Sequence, residues 1–218
     1  MSRRILFLLA LCGLSIAASA QQDFNRFNFT AGGGLGFGRG AVANFTNRSY
    51  NGVVGGGVNF NRFFGVDAEY MYYNLAFRDS VVQQQGVPGA KGHLQSVSLN
   101  GIFNYKLQGR FGVYGIAGVG WYQRSVSARS QPLLTGTVCQ PAWIWWDIQC
   151  TDGTPSVASH DQTLSSFSKD AGGFNYGGGL TYRLKHPGVK VFAEFRYHRA
   201  YHSDVQTVVF PVTVGVRW

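Results

Sequence analysis

Stretches of ten or more residues, in which apolar side chains alternate with polar or very small ones, recur along this chain. Their connections alternate between very short turns and long polar loops. Period two is the spacing of an extended strand, whose successive side chains point to opposite faces. A strand that stays apolar on one face and polar on the other over such a length needs a different environment on each side. The connections add the pairing: a tight turn joins only antiparallel neighbours. The chain therefore reads as an all-β meander.

Eight such segments can be traced. Phe27 to Phe37 sets Phe27, Phe29, Ala31, Gly33, Leu35 and Phe37 on one face, with Asn28, Thr30 and glycines on the other. A loop from Gly38 to Ser49 leads to Tyr50 to Phe60, which turns through Asn61-Arg62 into Phe63 to Phe77. After a loop rich in Gln, Gly and Pro, His93 to Tyr105 shows Val97, Leu99, Gly101, Phe103 and Tyr105 opposite Ser98, Asn100, Ile102 and Asn104. Gln108-Gly109-Arg110 turns into Phe111 to Gln123. The longest loop, roughly Arg124 to Asp170, precedes Gly173 to Leu184. His186-Pro187-Gly188 turns into Val189 to His202, and a brief loop gives Thr207 to Trp218.

An even number of strands with both ends on the short-turn side suits closure into an eight-stranded antiparallel up-and-down transmembrane β-barrel. A soluble sandwich is the main rival. Against it stand the length of the alternating segments and a last strand whose one face reads Phe210, Val212, Val214, Val216 and Trp218. Pro211 lacks an N–H, so a bulge or frayed pairing is expected beside it.

The first residues read as an address. Arg3 and Arg4 precede an apolar run from Ile5 to Ala17, and Ala18-Ser19-Ala20 offers the small residues of a cleavage site. The run is shorter than the roughly 20 residues of a spanning helix. The expected organisation is a cleaved signal peptide over 1–20 and one barrel domain over 21–218. Thirty glycines, 17 Phe, 11 Tyr and 5 Trp with only 13% charged residues suit strands with aromatic anchors, unlike a soluble enzyme. Of the 19 basic residues two lie in the leader, which leaves +7 against the 10 acidic ones. Export removes nucleic acid as the partner of that charge. The charges assigned to the long loops nearly balance. Cys139 and Cys150 would meet an oxidising compartment, where a bridge between them is expected.

The leader, the eight segments, the hairpin Asn59-Phe60-Asn61-Arg62-Phe63-Phe64-Gly65-Val66, the stretch Glu194-Phe195-Arg196-Tyr197 and the ending Val214-Gly215-Val216-Arg217-Trp218 together resemble the outer-membrane β-barrel domain family related to the outer-membrane protein A barrel. The resemblance covers essentially the whole mature chain. It implies the outer membrane of a Gram-negative bacterium, with long loops extracellular and both termini periplasmic; with the chain stopping at Trp218, the peptidoglycan-binding domain that some members append is not expected. It also implies that Phe210, Val214, Val216 and Trp218 form the contact read by the barrel-assembly machinery.

Several residues are candidates for function. Asp67, Glu69, Arg183, Glu194, Arg196 and Arg217 fall on the face opposite the lipid and read as an ion network filling the bore; the alternative is a narrow ion path lined by the same groups. Glycines at 32, 34, 36, 55, 57, 177 and 179 also face inward, making room for larger groups or leaving a small cavity. The run Tyr197-His198-Arg199-Ala200-Tyr201-His202-Ser203-Asp204 invites a hydrolase reading by comparison with lipid A deacylases. Adjacent His202 and Ser203 point to opposite faces, however, and no orienting carboxylate follows Asp204, so they read as rim polar groups. The loop from Cys139 to Cys150 carries Trp143, Trp145 and Trp146, which either pack on the rim, dip into the lipid interface or offer an apolar patch to a surface ligand. No metal or cofactor motif occurs. The expected function is a monomeric, non-enzymatic envelope protein in contact with lipid and lipopolysaccharide; a pore and a lipid A hydrolase are the alternatives.

Overall fold

The computed structural model describes residues 25–80, 90–106, 110–129, 137–141, 148–152, 163–185, 188–203 and 206–218; the leader, Trp143, Trp145, Trp146 and Asp204 lie outside the described residues. In chain order the elements are β1 (Phe27–Arg39), α1 (Ala41–Phe45), β2 (Ser49–Asn59), β3 (Phe64–Leu75), β4 (Lys91–Lys106), β5 (Phe111–Arg129), β6 (Thr137–Pro141), β7 (Ile148–Asp152), β8 (Thr163–Arg183), β9 (Lys190–Ala200) and β10 (Thr207–Arg217).

Among the described residues eight strands close a barrel in the order β1-β10-β9-β8-β5-β4-β3-β2, all neighbours antiparallel, while β6 and β7 form a separate ribbon. Closure runs through β1, where Ala31 lies opposite Val216 of β10 on one side and Val54 of β2 on the other. The barrel thus has no free edge at membrane depth, as a strand structure in hydrocarbon requires.

Three local features differ from the sequence expectation or refine it. The β2–β3 connection is longer than Asn61-Arg62: β2 stops at Asn59 and β3 starts at Phe64. The Asn61 side chain holds the turn, its Oδ1 accepting from the Phe63 and Phe64 amides at 2.8 Å each. The longest loop is also shorter than expected. β5 and β8 stay paired from Phe111 opposite Tyr182 up to Arg129 opposite Thr163. Their far rows pair serine with serine (Ser125 with Ser168, Ser127 with Ser166), which offers no apolar alternation to mark a strand. At Pro211 the β9–β10 ladder skips two rows between Val209 opposite His198 and Val212 opposite Phe195, and resumes in the same register. The missing donor opens the pairing without a bulge.

Outward positions are apolar and open. Val119 is 67% exposed, Phe60 63% and Trp121 60%. Near the chain ends the outward ring includes Phe29, Phe64, Phe103, Phe111 and Trp218; toward the long loops it includes Tyr50, Trp121 and Tyr201. Eight residue steps along β10 and its end lead from Phe210 to Trp218. At roughly 3.3 Å per residue and a tilt of about 40°, that spans about 20 Å, comparable to an apolar band of about 25 Å. Such a surface suits hydrocarbon as its solvent.

Candidate functional site

The inward face of the barrel is the only place where charged side chains are brought together and buried among the described residues, and it is organised in layers. Nearest the chain ends, the Arg217 guanidinium lies over the rings of Tyr114 and Phe192, at 4.8 and 5.2 Å, and its Nε donates to Thr30 Oγ1 at 3.0 Å. Ile102, Ile116, Tyr114 and Phe192 form an apolar cluster there.

The middle layer is ionic. Arg196 donates from Nη1 and Nη2 to the two oxygens of Glu69, at 2.6 and 2.9 Å, and from Nε to Glu194 Oε1 at 2.5 Å. The other oxygen of Glu194 accepts from the Tyr114 hydroxyl at 2.7 Å. One guanidinium therefore ties β9 to β3 across the bore, and its fork geometry suits a two-point carboxylate contact. Neutral groups continue the layer: Asn175 Nδ2 donates to Asn100 Oδ1 at 2.9 Å, Asn100 Nδ2 to Ser98 Oγ at 3.1 Å, and Thr213 Oγ1 to Asn51 Oδ1 at 2.9 Å. Asp67 is fully buried beside this layer, with neither carboxylate oxygen hydrogen-bonded.

Toward the long loops the filling becomes mainly apolar, with Arg124 and His198 buried in it. Met71, Tyr73, Leu75, Leu94, Val53, Val209, Ala171 and Ala200 are buried with Tyr122, whose hydroxyl meets His198 Nδ1 at 3.0 Å. The Tyr73 ring occupies the space a side chain at Gly36 would need, so the glycine there makes room for the plug. Above it α1 inserts Val42, which has no exposed surface. Gly40 starts α1 with φ 63°, a left-handed conformation open to glycine. Arg78 fastens it, donating from Nη2 to the Ala43 carbonyl at 2.9 Å and from its amide to the Phe45 carbonyl at 2.9 Å.

Five of the six charged residues expected inside are buried: Asp67, Glu69, Glu194, Arg196 and Arg217. Arg183 is not. It has the inward parity but sits on the last row of β8, paired with Lys190, and is exposed. A long side chain on a terminal row reaches water at the mouth, so it takes no part in the network. Sequence reasoning missed the apolar plug and α1. The alternating run Phe63 to Phe77 does put Met71, Tyr73 and Leu75 on the inward side, and that was the available signal.

The other candidates are distributed around the rim. His202 is buried while Ser203 is exposed; the His202 nitrogens face Thr207 Oγ1 and the Lys169 carbonyl, each at 3.3 Å. Arg124, fully buried, donates to the same Thr207 hydroxyl at 3.0 Å. The β6–β7 ladder sets Cys139 directly opposite Cys150. Phe210, Val214, Val216 and Trp218 share the outward face of the closing strand and its end. Trp218 exchanges two backbone hydrogen bonds with Phe29 and lies 6.0 Å from its ring. Among the described residues no group of three His, Cys, Asp or Glu side chains is placed to hold a metal ion.

The sequence model of the outer membrane protein beta-barrel domain matches residues 6–217. No curated protein matches the chain in sequence. Among solved structures, the chain is similar to the Neisserial surface protein A, with a TM-score of 0.58 and 14% identity over 88% of this chain and 96% of that one. It is also similar to a major outer membrane protein from Thermus thermophilus, with a TM-score of 0.55 and 12% identity over 89% and 99%. At such identities the likeness shows the shared fold.

Proposed function

Since the chain belongs to the outer membrane protein beta-barrel domain family, we propose that it is a filled outer-membrane barrel, neither conducting nor catalytic, with a structural or surface-interaction role in the bacterial envelope. The observation that carries this reading is the continuity of the filling. An ionic tie across the middle of the bore is followed by a closely filled, mainly apolar layer, in which Arg124 and His198 are also buried, and by Val42 of α1 over the far end. An ion would have to break the Arg196 contacts and then displace the side chains that fill the layer beyond them.

In this reading the long loops face outward, both termini face the periplasm, and the barrel is a monomer in contact with outer-leaflet lipid. Phe210, Val214, Val216 and Trp218 would meet the assembly machinery. The opposed rows of Cys139 and Cys150 favour a bridge, since opposed residues of a ladder fall within disulfide range, and closing so short a loop would contribute roughly 3 kcal/mol. Trp143, Trp145 and Trp146 on that bridged loop are the proposed contact for a surface ligand.

Single-channel recording in planar bilayers tests the reading, with heat-modifiable gel migration showing that the refolded mature barrel has formed. Silence is expected; discrete openings would replace the scaffold by a pore. Lipid A from cells producing the protein should keep its mass. A change in mass that disappears in His202→Ala would make the protein a hydrolase.

A further inference from the structure

The wall of the barrel is not the same all the way round. On β1 and β9 the outward column ends, toward the long loops, in Arg39 and Arg199, which oppose Val208 of β10 from its two sides. Two strand spacings separate them, or about 10 Å between Cα atoms. Arg48, just before β2, belongs to the same group: its guanidinium lies 5.8 Å from the Phe37 ring, as that of Arg39 lies 5.5 Å from the Phe210 ring. Phe37 and Phe210 are themselves cross-strand partners, so two cations rest on one aromatic pair. Arg199 is held by Gln206, which accepts from its Nε at 3.0 Å and its Nη2 at 2.5 Å, and it lies over Tyr201.

Three cations thus stand on one side of the long-loop end of the wall, and among the described residues none is paired with a carboxylate. β1, β2 and β10 carry no acid, and those of β3 and β9, Asp67, Glu69 and Glu194, point inward. Like charges in neighbouring rows repel, so an arrangement of this kind favours an external anion. On the opposite wall Gln95 and Gln123 pair on the outward face, and no comparable cluster forms among the described residues.

Below the arginines the lipid-facing surface continues as Leu35, Tyr50, Val54, Val212 and Val214, all at least 40% exposed. A ligand for this wall must be apolar along that stretch and anionic at the level of the guanidinium groups, whose planar forks bind phosphate in two-point fashion. We propose that Arg39, Arg48 and Arg199 form a binding site for the phosphorylated headgroup of an outer-leaflet lipid, the lipid A part of lipopolysaccharide, on the β9–β10–β1–β2 wall. The proposal rests on the orientation given above and sharpens its lipid contact from general to one-sided.

The test uses the refolded mature barrel in phosphatidylcholine nanodiscs, with bisphosphorylated lipid A as probe and its dephosphorylated form as control. Wild type is expected to prefer the phosphorylated form. Removing all three charges in R39Q/R48Q/R199Q should weaken that binding about tenfold or more, given the strength of charge-assisted hydrogen bonds. R62Q/R110Q, at the opposite end, should leave it unchanged. Equal loss in both variants, or no preference for the phosphorylated probe, would overturn the site. The single variants R48Q and R39Q, each expected to give a partial loss, decide the matter if the triple variant fails to fold. A tag inserted within 81–89 and probed on intact cells separates this from orientation: an inaccessible tag with intact lipid A binding sinks the orientation and leaves the site.

Discussion

The bore has two fillings, and they hold the barrel by different means. In the middle, Arg196 satisfies Glu69 and Glu194 at once, and every atom of the tie depends on its partners remaining in place. Toward the long loops, Met71, Tyr73, Leu75, Leu94 and Val209 pack without direction, and α1 adds one more apolar side chain at the top. Charges taken out of water have to be mutually satisfied, because desolvation offsets most of their attraction. An apolar layer has no such requirement and fails by degrees as volume is removed. The difference predicts that the middle layer is brittle and the upper one tolerant.

The largest effect should therefore come from Arg196→Ala. It leaves two carboxylates buried without the cation they shared, at a cost of about 3–5 kcal/mol. Urea unfolding of the barrel in lipid vesicles, followed by tryptophan fluorescence, reads that loss as a lower midpoint. Leu94→Ala in the upper layer should cost less, about 2–4 kcal/mol, as a partly collapsing cavity does. A larger loss for Leu94→Ala than for Arg196→Ala would reverse the comparison and make the apolar plug the main support.

A third variant separates charge from shape in the middle layer. Replacing the tie with neutral groups, in Glu69→Gln/Arg196→Met/Glu194→Gln, should restore the midpoint to within about 2 kcal/mol of wild type, because no isolated charge remains. If the triple variant is as unstable as Arg196→Ala, the ion pairs themselves contribute net stability. The Tyr114 hydroxyl, which donates to Glu194 at 2.7 Å, can also donate to a glutamine oxygen, so the neighbouring cluster stays intact.

The two fillings were not equally visible in the sequence. Glu69, Glu194 and Arg196 stand out because charged residues on the polar face of a long alternating strand have few places to go, and parity alone puts them inside. Parity does not say how far along the bore each residue lies. That is why Arg183, with the right parity on a terminal row, reads as part of the network and is exposed. The plug was harder to see for a different reason. Tyr73 and Leu75 sit on the inward face in a stretch where Tyr70 and Tyr72 point outward, so both faces are apolar and alternation fades. α1 gives no periodic pattern over only five residues. Strand pairing and closure were legible throughout the band, where lipid on one side and a packed interior on the other impose the alternation; beyond the band, the serine-rich rows of β5 and β8 carried no such mark.

The smallest effect should be at the top of the apolar layer, where α1 is held by few contacts. The Thr46 hydroxyl donates to the Val42 carbonyl at 2.8 Å in a buried setting, and the Asn47 amide donates to the Ala76 carbonyl at 2.8 Å. Thr46→Val keeps the shape and removes one hydrogen bond, for a loss of about 1 kcal/mol. Such a loss should be local. α1 has no side-chain cap at its start, and its backbone is tied to the wall mainly through Arg78. Amide hydrogen exchange at 42–47 should quicken by about fivefold while the amides of β3 and β4 keep their protection, as expected of a segment that opens without the rest. Equal acceleration in the strands would mean that cap and barrel open together. In that case the upper layer would be as cooperative as the ionic one, and the contrast between the two fillings would not survive.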